Sequence, residues 1–128
     1  MQINIIDEKF TQLAQHFHSV IKEAMEMRDN LKVFLFCHSD NVGDVLNPQF
    51  KIKTIGRMID NMITLEGLFT YVFFTVRREN ENREMEYKFM TNSDGTNTAK
   101  SPMGCFDSIL IDNDLQYVVE KIDEYNEG

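Results

Sequence analysis

Three histidines, two cysteines and a set of scattered lysines and carboxylates carry the chemistry this chain has to offer, and their spacing decides what they can do. His38-Ser39-Asp40 has the residue types of a nucleophilic triad. Neighbours in sequence cannot converge their side chains on one hydrogen-bonded line, so the triplet argues against hydrolase chemistry. His16 and His18 are two apart on an expected helix, about 200° around its axis from one another, and make no metal face. An EF-hand beginning at Asp112-Asn113-Asp114 would need glycine at its sixth position and glutamate at its twelfth. Those positions hold Tyr117 and Asp123, and helix capping explains the triplet better. Cys37 and Cys105 form no C-x-x-C or metal spacing and read as two ordinary thiols in a reducing compartment. No metal site is expected.

The elements that must position these residues are bounded by length and composition. At 128 residues, 42% hydrophobic and 27% charged, the chain fits a single domain, residues 1–128, with a real core and no compositional sign of disorder. A formal net charge of -8 opposes non-specific binding to a polyanion, so any nucleic-acid contact must be local. Acidic residues crowd into 23–29, 79–86 and 112–127, while Lys51, Lys53 and Arg57 form a small basic group between them. No apolar run approaches the roughly 18 to 20 residues of a membrane span, and the N-terminus lacks the basic and apolar regions of a signal peptide. A cytoplasmic location and no membrane partner are the expectations. The eight methionines are most simply adaptable core filler.

Between Asp7 and Arg28, Phe10, Leu13, Ala14, Phe17, Val20, Ile21, Ala24 and Met25 recur at steps of three and four, which predicts an amphipathic helix with Asp7 as N-cap and Asp29-Asn30 as its end. Val33 to Cys37 is continuously apolar, the pattern of an interior strand buried on both faces. The loop from His38 to Phe50 follows that strand's carboxyl end, where open α/β sheets bind ligands. Thr54 to Ile63 has helical spacing, with Thr54 as a cap and Gly56 in the first turn. Gly67 to Val76 and Glu84 to Thr91 flank the polar turn ENENR and predict a β-hairpin, followed by a turn at Asp94-Gly95. Pro102 keeps the next segment extended, Ile109 to Ile111 adds a short strand, and Asp112 or Asn113 caps a last helix. That helix places Leu115, Val118, Val119, Ile122 and Tyr125 on one side. The fold class is α/β, a small mixed sheet with a β-hairpin flanked by helices. A lone buried strand beside a hairpin makes a thin sheet, so its parallel neighbours would come from residues absent here or from another chain.

Three stretches, FLFCHSD (Phe34 to Asp40), KTIGRMIDNMITLEGLFTYVFFT (Lys53 to Thr75) and YKFMTNSDGTNTAKSPMGCFDSILIDNDL (Tyr87 to Leu115), together resemble the C-terminal half of phage ATPases with a RecA-like P-loop core, including the single-strand annealing type. The resemblance runs from Phe10 to about Tyr125, with DGTNTAKSPMG and IDNDLQYV as its most specific parts. It implies a partial RecA-like P-loop NTPase core and ATP hydrolysis linked to single-stranded DNA binding or annealing in phage recombination. The chain departs from the family at the phosphate-gripping loop, because G-x-x-x-x-G-K-[ST] occurs nowhere in it. The P-loop lysine, its Mg²⁺-binding hydroxyl and a convincing Walker B strand are missing, and Ile5-Ile6 before Asp7 is a poor substitute. ATP and Mg²⁺ are therefore expected only in a complete assembly, an oligomer or a pair with a companion chain carrying the P-loop, and not for this chain alone.

What the resemblance implies for residues is specific. His38, directly after the apolar run, stands where RecA-like cores place a sensor of the terminal phosphate, and an imidazole can donate to a phosphate oxygen. Lys100 stands where a basic residue reaches across a subunit interface to the neighbour's γ-phosphate, with Thr98 and Ser101 as phosphate-side donors. Residues 39–53 occupy the place of the loop used against single-stranded DNA, where Lys51, Lys53 and Arg57 would pair with phosphates and Phe50 would stack on a base. Each has a plainer account: a histidine at a strand end, a lone loop lysine, residues that solvate a helix entrance. Arg77, Arg78 and Arg83 read as parts of a solvated, ion-paired turn. Two functions stand open: the partial ATPase, and a non-enzymatic DNA- or protein-interaction module derived from one.

Overall fold

The computed structural model describes residues 2–53 and 65–128, which divide into two compact units, residues 2–39 with 52, 53 and 65, and residues 40–51 with 66–128. In the first unit, helix α1 spans Gln2–Met25. Phe17, Ile21 and Ala24, spaced by four and three, are its inward-facing positions, and Ile21 is buried. Leu13, Val20 and Met25 are exposed, so the inward stripe is narrower than the sequence pattern suggests. The helix begins at Gln2, which places Asp7 inside it rather than at its N-cap. The helix expected over 54–63 lies outside the described residues.

Residues 31–38 belong to no helix or strand, and Leu31, Val33, Phe34, Leu35 and Phe36 are all exposed. This corrects the expected interior strand at Val33 to Cys37. A strand of that composition needs a hydrogen-bonded neighbour on each side, and the described residues supply no strand to pair with it.

The second unit holds most of the regular structure. Strands β1 (Ser39–Asn41) and β2 (Phe50–Ile52) form a two-stranded sheet, and a short 3₁₀ turn covers Leu65–Leu68. Strands β3 (Phe74–Glu79), β4 (Met85–Met90) and β5 (Leu110–Asp112) form a three-stranded sheet in that order. Both of its pairings are antiparallel, with Thr75 opposite Phe89 and Phe89 opposite Ile111. The sheet is thus antiparallel throughout rather than mixed. One isolated bridge, Phe50 to Asn97, is parallel.

The β3–β4 turn is built by Asn80. Its side-chain oxygen accepts from the amides of Asn82 and Glu84 at 2.9 Å each, and its own amide donates to the Glu84 carbonyl at 2.8 Å. Arg83 completes the three-residue loop with φ 63°, the left-handed residue such hairpins require.

Helix α2 (Leu115–Glu127) begins where Asp114 accepts from the amides of Gln116 and Tyr117, so the cap is Asp114 and not Asp112 or Asn113. Val118 and Ile122, one turn apart, are its buried residues, and they join Phe89, Cys105 and Ile111 in the core. Tyr71, Phe73, Phe106, Leu115 and Tyr117 pack around these. Phe73 meets Phe106 edge-on at 5.5 Å and lies alongside Phe89 at 6.1 Å between ring centroids. Each fully buried aliphatic or aromatic side chain here contributes about 1.5–3 kcal/mol relative to exposure.

Candidate functional site

Two turns adjoin β2, the strand that holds Phe50 and Lys51 of the residues proposed for DNA contact. In the first, Asn41 accepts from the amides of Gly43 and Gln49, and Asp44 accepts from those of Leu46 and Asn47. Gly43 sits so close to the Asn47 carbonyl oxygen that a Cβ there would lie 2.2 Å from it, which makes glycine obligatory in this turn. In the second, Ser93 donates to the Asn97 carbonyl and accepts from the Gly95 amide, while Asp94 accepts from both the amide and the hydroxyl of Thr96. Gly95 has φ 98°, as its place after Asp94 predicts. Gln49 donates its side-chain amide to the Gly95 carbonyl, and the Phe50 amide donates to the Thr96 carbonyl at 2.7 Å.

Phe50 therefore lies beside Asn97, and it is partly exposed. The Thr96 hydroxyl and amide hold the Asp94 carboxyl below its ordinary pKa, so the turn carries a fixed negative charge next to Phe50. That charge opposes a phosphate at this surface.

The Thr98 hydroxyl points to Glu66, at 3.3 Å, and is engaged as a donor inside the protein. Ser101 is held against Asn92, its amide donating to the Asn92 oxygen and its hydroxyl oxygen accepting from the Asn92 side-chain nitrogen at 3.0 Å. Lys100 is half-buried, and its backbone exchanges two hydrogen bonds with Val72, each 2.9 Å long. In the other unit, His38 is exposed and its carbonyl accepts from the Lys53 amide at 2.7 Å. The structure thus brings Phe50 to Thr96 and Asn97, just before Thr98 in sequence, and His38 to Lys53. Arg57 lies outside the described residues.

Arg78 behaves as a turn-flanking ion pair, its Nε 3.1 Å from Glu86. Lys88 pairs with Asp112 across β4 and β5. An open cleft of about 390 Å³ lies beside that pair, lined by Ser108, Leu110, Asp114 and Tyr117 among others. Nearby, Glu124 holds the Lys121 ammonium above its ordinary pKa. Among the described residues no three histidines, cysteines or carboxylates gather as a metal centre, and no helix is long and apolar enough to cross a membrane.

Sequence reasoning missed two surfaces. One is the exposed apolar run from Leu31 to Phe36, whose composition is that of a buried strand. The other is the outer edge of β3, signalled only by opposite charges two residues apart, Arg77 and Glu79.

Comparison of the chain with protein-family models, with curated proteins and with solved structures finds no match.

Proposed function

We propose that this chain is a non-enzymatic protein-interaction module, a relative of RecA-like ATPase domains that has no phosphate-gripping loop of its own. The exposed run Leu31–Phe36 carries the reading. Five of its six side chains are apolar and exposed, with Phe36 at 78%, and contiguous apolar surface of this kind marks a contact site for another protein. Valine and phenylalanine there favour an extended backbone, so a partner that offers a sheet edge would take this segment as an added strand. The partner implied by the resemblance is a companion chain carrying the P-loop.

The phosphate-side chemistry supports this reading over an autonomous nucleotide site. The Thr98 hydroxyl donates its hydrogen bond to Glu66, and the ionised Asp94 carboxylate occupies the adjoining turn. The test is titration of the purified chain with Mg·ATP and, separately, with a single-stranded oligonucleotide, together with co-expression with a P-loop segment. The expected result is no saturable binding of nucleotide or DNA by the chain alone, and a stable complex with the P-loop segment that Phe36→Asp disrupts. Tight Mg·ATP binding by the chain alone would overturn it.

A second reading, a partial RecA-like ATPase domain of phage recombination, is favoured by Lys100. Its reciprocal bonds to Val72 and the following Ser101-Pro102 fix its backbone, as a side chain acting on a neighbour's phosphate requires. Phe50, Lys51, Lys53 and Arg57 would then face single-stranded DNA, with His38 as the phosphate sensor. Under this reading, Lys100→Ala abolishes ATP turnover by the reconstituted assembly, and unchanged turnover removes it.

A further inference from the structure

The β3 edge of the three-stranded sheet has no neighbouring strand among the described residues. Its hydrogen-bonding phase follows from the turn. The Asn80 amide bonds the Glu84 carbonyl, and the register sets Arg78 opposite Glu86 and Val76 opposite Lys88. Antiparallel pairs alternate between bonded and non-bonded, so the even-numbered residues of β3 bond β4 while Thr75, Arg77 and Glu79 turn their amides and carbonyls outward. The β4–β5 side agrees, since Thr91 and Tyr87 are the β4-side residues that bond Ile109 and Asn113. The side chains of Thr75, Arg77 and Glu79 are exposed as well.

We infer that this edge pairs with the same edge of a second copy of the chain, antiparallel about a two-fold axis through Arg78, to give a continuous sheet β5-β4-β3-β3-β4-β5. The charges select both the occupant and the register. In a two-fold contact, if one residue meets another, the reverse meeting occurs on the other side of the axis. With the axis at Arg78, Arg77 of each copy stands opposite Glu79 of the other, in the bonded positions where both residues have outward amides and carbonyls. A shift of the axis to Arg77 or to Glu79 sets directly opposite itself a charge that has no counter-ion among the described residues of its own chain, which is destabilising. A further shift leaves both charges without a complement. Arg78 meets its own counterpart on the axis, but on the opposite face of the sheet, where Glu86 of the same chain already holds its guanidinium. Neither Arg77 nor Glu79 has an ion-pair partner within the described chain, so the contact breaks no existing pair.

The turn at 80–83 ends the strand, so the contact is short and its affinity low. The pairing is independent of the Leu31–Phe36 surface and of any nucleotide.

The test is sedimentation equilibrium of the full chain up to about millimolar concentration, the range in which small interfaces assemble. The wild-type chain is expected to dimerise, less so at high salt, because exposed charge pairs are screened. Arg77→Glu and Glu79→Arg should each weaken dimerisation about tenfold or more, since each variant opposes like charges at both symmetric positions. An equimolar mixture of the two variants should associate again as a heterodimer, because one copy then carries two acids and the other two arginines. Arg77→Pro removes an outward amide and should also abolish dimerisation, with the amide spectrum of β4, β5 and α2 unchanged. A wild-type chain that stays monomeric throughout overturns the inference. So does a dimer indifferent to the charge changes, or a mixture that associates no better than its parts.

Discussion

The hydroxyl of Thr91, a side chain with no solvent exposure, donates to the carbonyl of Ser108 at 2.9 Å and so ties the end of β4 to the segment that leads into β5. The Ile109 carbonyl, which accepts the Thr91 amide at 2.7 Å, lies 3.2 Å from the same hydroxyl. Thr91→Val keeps the shape and removes the donor. It should cost about 1 kcal/mol, the net worth of a typical intramolecular hydrogen bond. Thr91→Ala also loses a buried methyl and should cost about 1 kcal/mol more. Urea unfolding checks both, with the midpoint lowered and the slope unchanged.

Arg83 holds a left-handed backbone that costs an L-residue with a side chain roughly 1–2 kcal/mol. Arg83→Gly relieves that strain and should raise the thermal midpoint, whereas Arg83→Val should lower it. Because Arg83 is exposed and makes no described ion pair, loss of its charge contributes little to either outcome.

Two neighbouring aspartates separate capping from surface pairing. Asp114→Ala removes the acceptor of two amides at the start of α2 and should cost about 1 kcal/mol. Asp112→Ala breaks only the pair with Lys88, whose acidic side is largely exposed, and should cost less than about 1 kcal/mol. Equal losses in the two variants would contradict this placement of the cap.

Tyr71 supplies the pH dependence. Burial, followed by its contact with the Cys105 thiol, pushes its phenol up to about 12 from the ordinary 10.0. A folded-state pKa above the unfolded value gives stability that is fully present below pH 10 and is lost as pH rises from there through about 12. Absorbance titration should show one tyrosine that ionises late, and Tyr71→Phe should remove both that phase and its share of the alkaline loss.

Local signals carried much of the second unit. The ENENR turn, Asp94-Gly95 and the spacing of Leu115, Val118 and Ile122 each encode their structure within a few residues, and each element forms near where the sequence puts it. The first strand of the hairpin starts later than expected, at Phe74. Val72 bonds Lys100 instead of β4, and Leu65–Leu68 is a turn. The cap of α2 was misplaced for a comparable reason. Asp112 still pairs with Lys88 in the sheet, and the Asn113 amide still donates to the Tyr87 carbonyl, so only Asp114 is released to begin a helix. Val33 to Cys37 misled most, because an apolar run records what a segment prefers to bury against, not whether a neighbour is there. At the candidate site, the placement of Lys100 and Ser101 in one loop was legible. The diversion of the Thr98 hydroxyl to Glu66 was not, since the two lie 32 residues apart.

The bond from Gln49 to Gly95 spans 46 residues, and this has a consequence during synthesis. At the usual 5–20 residues per second, β2 leaves the ribosome roughly 2–9 s before its docking turn exists. The hairpin at Asn80, by contrast, closes within microseconds of its own emergence. The growing chain must therefore carry β2 without its docking turn through that delay, an interval in which a chaperone or an early-arriving partner would find it first.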